Sequence, residues 1–242
     1  MDRRRLALKS GLVSQRPAIH LRPTAPLAER VLLPGDPGRA LALAQSLLLD
    51  PRMFNHNRGL WGYTGTAPDG EPLTIQSTGM GGPSAAIVLS ELIALGARRA
   101  IRVGTCGALA PGLALGAAVV ARESICVDGT SRALGAGERV AADPSLTETL
   151  IAQVPAAHVG TIVSVDLFYE TRGQRAAHDA LAVEMEAAAL FAVGAAAEMP
   201  VACVLTVSDT FDENGARRRI DDDSLLTAAE AIGAAAIAAL AA

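Results

Sequence analysis

The sequence predicts an α/β fold, a single three-layer domain in which helices flank a central mixed β-sheet. Three observations carry this expectation. Short apolar runs of strand type alternate with helical patterns along the chain. The 242 residues are 50% hydrophobic, enough to bury one sizeable core. Aromatics make up only 3%, so the core must be built from Ala, Val, Leu and Ile, a composition that suits helices packed closely on a sheet of branched aliphatics.

The elements follow in order. Residues 30–33 form a short apolar strand closed by Pro34-Gly35-Asp36-Pro37, and a helical pattern runs over 38–49. Residues 59–66 and 73–78 read as extended segments joined by a turn at Pro68-Asp69-Gly70. Gly81-Gly82-Pro83-Ser84 opens a helix that reaches Gly96, a suitable C-terminal stop. Buried strands follow at 100–103 and 117–127, a helix at 145–154, a strand at 158–165 and a helix at 185–198. The last strand is 201–207 and the last helix 224–241. No repeat, linker or second domain is apparent. Residues 1–17 carry Arg3, Arg4 and Arg5 but no apolar stretch of signal-peptide length, and are expected to form a disordered extension to a domain spanning 18–242.

Composition excludes several function classes. The formal net charge of −4 leaves no basic footprint for nucleic acid. No run is expected to serve as a membrane span, because Glu230 interrupts the Ala-rich C-terminus. Cys106, Cys126 and Cys203 show no paired spacing and His20, His56, His158 and His178 are scattered, so neither a disulfide scaffold nor a metal site is expected. A cytoplasmic protein fits these features. Lys9 is the only lysine, so any bound phosphate must be met by arginines and backbone amides.

In sheets of this kind ligands collect where strands end at their carboxyl termini. Gly35-Asp36-Pro37-Gly38-Arg39 follows the first strand, Gly104-Thr105-Cys106-Gly107 follows Val103, and Ser208-Asp209 follows the last strand. Gly35 and Gly104 would let the backbone approach a ligand, with Arg39, Arg102 and the Thr105 hydroxyl completing an anion cradle. Each turn alone reads better as a tight turn beside a surface arginine; three on one rim argue for a site. Glu184 and Glu186 bracket Met185 at the start of a very apolar helix, where one carboxylate is ordinary capping chemistry and a second needs a partner such as ribose hydroxyls. Asp209 ends an apolar run. It reads either as the cap of a turn or as a carboxyl whose value is raised by an apolar pocket, fit for a general acid.

From His20 to the C-terminus the chain resembles the nucleoside phosphorylase family of trimeric or hexameric enzymes, which includes bacterial purine nucleoside phosphorylase and uridine phosphorylase. The blocks that carry the resemblance are, in order, LLPGDPGRA, NHNRGLWGYTG, STGMGGPSAAIVLSEL, IRVGTCGAL, SVDLFY, VEMEAAALF and TVSDT. The resemblance implies that Gly35, Arg39, Arg58, Arg102 and Thr105 bind phosphate. It implies that His20, Phe168, Glu184, Met185, Glu186 and Ser208 bind the nucleoside, with Glu186 on the ribose 2′- and 3′-hydroxyls and Phe168 stacked on the base. Asp209 would protonate N7 of the leaving purine. His20 and Arg58 would be donated across an interface of a homo-oligomer, a hexamer built as three dimers. The implied reaction is phosphorolysis of purine ribonucleosides and their deoxy counterparts to free base and the pentose 1-phosphate, without metal or organic cofactor.

Some features lean elsewhere. Gly173-Gln174-Arg175 and Asp128-Gly129-Thr130-Ser131 resemble, faintly, uracil-reading segments of uridine phosphorylases; those enzymes lack an acid corresponding to Asp209. A methylthioadenosine phosphorylase is the nearest variant, with His20 speaking for a 5′-hydroxyl instead. A hydrolytic nucleosidase would have no use for converging arginines, and a non-catalytic nucleoside-binding protein would not need Glu186 or Asp209. Arg217, Arg218 and Arg219 are all candidates for an arginine assisting Asp209.

Overall fold

The computed structural model describes residues 17–169, 179–212 and 216–242. The strands are β1 (Arg30–Leu33), β2 (Leu49–Asn55), β3 (Gly62–Thr66), β4 (Pro72–Gln76), β5 (Arg99–Ala108), β6 (Ala118–Cys126), β7 (Arg139–Ala141), β8 (His158–Ser164), β9 (Ala182–Glu184), β10 (Val201–Phe211) and β11 (Arg217–Arg219). The helices are α1 (Pro37–Leu47), α2 (Gly82–Leu95), α3 (Gly129–Ala133), α4 (Pro144–Gln153), α5 (Ala187–Ala196) and α6 (Asp222–Ala241), with a single 3-10 turn at Asn57–Gly59.

All these strands join one mixed sheet. β1 pairs in parallel with β4 and β5, and β5 in parallel with β10. β10 also pairs with β6, β6 with β8, β8 with β9, and β9 returns to β5, so part of the sheet closes into a ring. The antiparallel β4-β3-β2 edge extends away from that ring.

Strand alternation divides the core. Val31 and Leu33 of β1 point into one apolar cluster with Val88, Leu89 and Leu92 of α2 and Leu190 and Phe191 of α5. Leu32 points into the other, with Leu43 of α1, Leu150 of α4 and Ile232 and Leu240 of α6. The same split recurs in β10, where Cys203 and Leu205 face α2 and α5 while Ala202 and Val204 face α6. Strands covered on both faces read as continuous apolar runs, which is why they were visible in the sequence. The expected three-layer architecture is the observed one.

Local chemistry sets the helix ends. Asp36 accepts from the Arg39 amide and caps α1, Asp143 caps α4 and Asp221 caps α6. α2 stops at Gly96, whose φ of 116° places it in the left-handed region, as its sequence suggested. α6 is long and apolar enough to cross a membrane by length and composition, with a mean hydropathy of 1.7, against the expectation drawn from Glu230. Its apolar face packs on α1, α4, β5 and β10.

Among the elements that escaped the sequence reading are β2, α3, β7 and β11. β2 carries Pro51, is mostly exposed and lies at the sheet edge, where a proline costs no ladder bond. α3 and β7 are too short for a periodic signal. β11 is an arginine triplet with no apolar pattern, held by pairing with β10, which continues to Phe211 beyond the expected 207.

Gly194 lets α5 lie against β10. A Cβ there would stand 2.5 Å from Val201 Cγ2 and 2.9 Å from the Met199 carbonyl oxygen, and the carbonyl is not free to swing away. Gly194→Ala is therefore expected to destabilise the protein by about 1–3 kcal/mol, seen as a lower melting temperature. An unchanged melting temperature would contradict this packing.

Candidate active site

A cavity of about 500 Å³ opens at the carboxyl ends of β1, β5 and β10, the rim to which the sequence assigned its unusual residues. Of the expected site residues, Gly35, Arg39, Arg58, Arg102, Thr105, Phe168, Glu184, Met185, Glu186, Ser208 and Asp209 line it. His20 does not. Its Nδ1 lies 2.7 Å from Glu91 Oε1 on α2, and Glu91 also accepts the backbone N–H groups of Ile19, His20 and Leu21.

Arg102 on β5 is 3% exposed and lies between two carboxylates. Its Nε donates to Glu184 Oε2 at 3.0 Å and its Nη2 to Glu186 Oε2 at 2.6 Å. Among the described residues its buried Nη1 has no hydrogen-bond partner. A Cβ on Gly35 would lie 3.9 Å from that Nη1, so the free donor faces the turn after β1. Buried guanidinium N–H groups are seldom left unpaired, and an oxyanion would satisfy this one.

Gly104 has a part beyond the one expected. A Cβ there would stand 2.7 Å from Arg102 Cζ and Nη2. The missing side chain makes room for the guanidinium of Arg102, and Gly104 itself lines the cavity.

The two glutamates divide the work. Glu184 Oε2 accepts from Arg102 Nε and the Glu186 and Ala187 amides, while Oε1 accepts from the Ser164 hydroxyl and the Ala187 amide. These partners account for about the four acceptor sites a carboxylate has, so Glu184 anchors Arg102 and the start of α5. Burial pushes its carboxyl up, against the pull of Arg102. Among the described residues Glu186 accepts from Arg102 and, at 2.5 Å, from the Gly81 amide, leaving capacity toward the cavity. The loop that supplies this amide holds Gly79 and Gly81 at φ of 71° and 86°; the sequence showed it only as a helix start.

Positive charge crowds one end. Burial lowers the Arg39 pKa, Asp36 opposes this, and the nearby Arg102 and Arg219 guanidiniums lower it further. Arg58, expected to serve a neighbouring subunit, is among the residues lining the cavity of its own chain, and the turn at Asn57–Gly59 holds it in the left-handed region at φ 58°.

At the other end Asp209 is 5% exposed and lies 2.6 Å from the Ser208 hydroxyl. Its Oδ1 accepts from Arg217 Nε at 2.7 Å, and Arg219 Nη1 stands 3.3 and 3.4 Å from its two oxygens. The expected raised carboxyl is a correction: burial does push it up, but the hydrogen bonds from Arg217 and Ser208 and the two arginine charges outweigh burial and hold it below its ordinary value. The β10–β11 register explains the choice among three arginines. Asp209 pairs with Arg219 and Phe211 with Arg217, so both arginines share the cavity face while Arg218 points away. The Arg217 guanidinium also lies 4.4 Å from the Phe168 ring centroid.

Asp128 caps α3 through Ser131, and residues 128–131 do not line the cavity. Gln174 and Arg175 lie outside the described residues, as do His178 and residues 1–16. Among the described residues no group of three His, Cys, Asp or Glu side chains could hold a metal ion.

An α/β domain with an arginine-rich cradle at one end of a cavity and a buried carboxylate at the other defines a protein for an anion and a second, polar substrate. The comparisons place it more closely: residues 29–242 match the family described as the Phosphorylase superfamily, and the chain belongs to it. It is 38% identical over 209 residues to a DeoD-type purine nucleoside phosphorylase of Geobacillus kaustophilus, covering 81% of this chain and 88% of that one. A DeoD-type purine nucleoside phosphorylase of Roseobacter denitrificans is 38% identical over 196 residues, covering 76% of this chain and 82% of that one. The crystal structure of a uridine phosphorylase from Vibrio fischeri superposes with a TM-score of 0.77 at 24% identity, over 89% of this chain and 92% of that one, and so shares the fold.

Removing the Arg102 charge would leave Glu184 and Glu186 buried without compensation. Arg102→Met is expected to cost about 3–5 kcal/mol in urea unfolding. The sign with pH follows from linkage. Burial already pushes the Glu184 carboxyl up, and without the pull of Arg102 it would rise further above its unfolded value, so stability is fully present below the unfolded value and is lost as pH rises through the folded one. The deficit relative to wild type should be larger at about pH 8 than at about pH 5. A deficit independent of pH would contradict the ion-pair arrangement.

Proposed function

We propose that the chain is a purine nucleoside phosphorylase, cleaving purine ribonucleosides and their deoxy counterparts to free base and pentose 1-phosphate in nucleoside salvage. The observation that carries this reading is Arg102 Nη1, unpartnered among the described residues, beside Arg39 and the Gly35 turn in a cavity that Asp209 also lines. Phosphate held there attacks C1′ of the sugar. Glu186, which keeps acceptor capacity, takes the ribose hydroxyls, with Met185 and Phe168 as the apolar walls for sugar and base. Glycosidic cleavage builds positive charge on the sugar and negative charge on the base; the phosphate answers the first and the Asp209 cluster the second. Fixed positions for both partners supply much of the remaining rate. The chemistry uses no metal and no organic cofactor. The DeoD-type relatives support the purine assignment, and the presence of Asp209 favours it over uridine.

The same reading makes the protein a soluble, cytoplasmic homo-oligomer, a hexamer of three dimers. His20 stands outside the cavity of its own chain and is delivered to a neighbour's sugar; Glu91 holds the segment that carries it. Arg58, which lines its own chain's cavity, is offered to a neighbour's phosphate across the same interface.

Base release from adenosine, inosine, guanosine and uridine, each with and without inorganic phosphate, tests the assignment. Phosphate-dependent release from purine nucleosides is expected, with uridine left intact. Release from uridine alone, or release that ignores phosphate, would overturn it. Sedimentation should find the activity in an oligomer; an active monomer would contradict the hexamer.

A further inference from the structure

Glu91, on α2, commits its whole carboxylate to one short segment. Its Oε1 lies 2.7 Å from His20 Nδ1 and accepts the Ile19 amide at 3.1 Å. Its Oε2 accepts the His20 and Leu21 amides at 2.9 and 2.7 Å. From the other side Asn57 Nδ2 donates to the His20 carbonyl at 2.8 Å. The backbone N–H, the backbone C=O and one ring nitrogen of His20 are therefore all held.

Tying down the chain does not by itself call for this clamp. Leu21 is buried in the core with Val88 and Leu92 of α2, the Arg22 amide donates to Asn55 Oδ1, and the Thr24 amide donates to the Phe54 carbonyl. Those contacts already anchor the segment; the contact to the ring fixes a side chain. Burial pushes the Glu91 carboxyl up, but the Leu21 amide, the His20 ring and the Ile19 and His20 amides outweigh burial and hold it below its ordinary value. An ionised carboxylate can only accept, so Nδ1 carries a hydrogen and the orientation of the ring is set. Among the described residues Nε2 has no hydrogen-bond partner, and in the neutral ring it is an acceptor. A sugar hydroxyl is a donor that fits it.

We propose that Glu91 and Asn57 are positioning residues that fix the His20 ring so that Nε2 meets the 5′-hydroxyl of a nucleoside in a neighbour's cavity. The inference rests on the reading above that His20 serves a neighbour's sugar, and adds what holds the ring and which atom meets the hydroxyl. α2 then serves two cavities. Gly81, the cap of α2, holds Glu186 of its own chain, and Glu91 further along the same helix aims His20 at the neighbour's. Asn57 directly precedes Arg58 in the same turn, so the clamp also sets the spacing between the two groups that the chain offers across the interface.

The test compares kcat/KM for inosine and 5′-deoxyinosine, with phosphate, in wild type, Glu91→Gln, Asn57→Ala and His20→Ala. Sedimentation and melting temperature are recorded for each. Wild type should favour inosine by about tenfold, and His20→Ala should bring the ratio close to one. Glu91→Gln and Asn57→Ala should each narrow it to within about threefold. Glu91→Gln keeps an oxygen for the backbone amides and should remain an oligomer. A residue that served stability alone would lower kcat/KM for both nucleosides alike and leave the ratio at its wild-type value. That result in either variant overturns the role of the residue replaced, while the delivery of His20 stands. A wild-type ratio near one, or a ratio unmoved in His20→Ala, overturns that delivery and the proposal with it, while the phosphorylase reading stands. No phosphate-dependent release from either nucleoside overturns all three.

Discussion

The site depends on one buried cation. Arg102 sits at 3% exposure with Glu184 on its Nε and Glu186 on its Nη2, and each partner ties it to a different part of the fold. Glu184 reaches Ser164 at the end of β8 and the first amides of α5; Glu186 reaches the Gly81 amide at the start of α2. A charge in such a place is tolerable only when it is paired and hydrogen-bonded. Pairing two of its nitrogens fixes the plane of the guanidinium, and the third is left aimed toward Gly35.

The closed part of the sheet explains how these groups come together. β5 pairs with β1, β9 and β10, so Glu184 and Asp209 arise from strands that both pair with the strand carrying Arg102. Asp209 faces Gly107 across that pairing after a register shift, which turns the end of β10 toward the cavity. The cavity is consequently lined by charged groups of both signs, Arg39 and Arg102 with Glu184 and Glu186, and Asp209 with Arg217 and Arg219. A polar, charge-bearing substrate fits such a cavity better than an apolar ligand would.

Much of the fold was legible because its central strands are buried on both faces and its main helices begin with an aspartate cap or end in glycine. The rim was legible for a related reason: Gly35, Arg39, Arg102, Thr105 and Asp209 follow apolar strands, and abrupt changes from apolar to polar are easy to see. What stayed hidden was carried by pairing and not by pattern. β11 has no apolar residue, so the two arginines on Asp209 were indistinguishable from Arg218 until the register with β10 was known. The lowered Asp209 carboxyl was hidden for the same reason, since an acid after an apolar run reads as desolvated until its counter-ions are placed. The room that Gly104 makes for Arg102 was hidden because the group that fills its missing side-chain space is two residues away on the same strand.

The most direct measurement is a crystal structure of the protein soaked in inorganic phosphate. An oxyanion within hydrogen-bond distance of Arg102 Nη1, with Arg39 and the Gly35 turn completing its shell, is the expected result. Phosphate bound away from Arg102 Nη1, or a cradle left without phosphate at saturating concentration, would contradict the claim that this buried arginine exists to present a donor to the attacking anion.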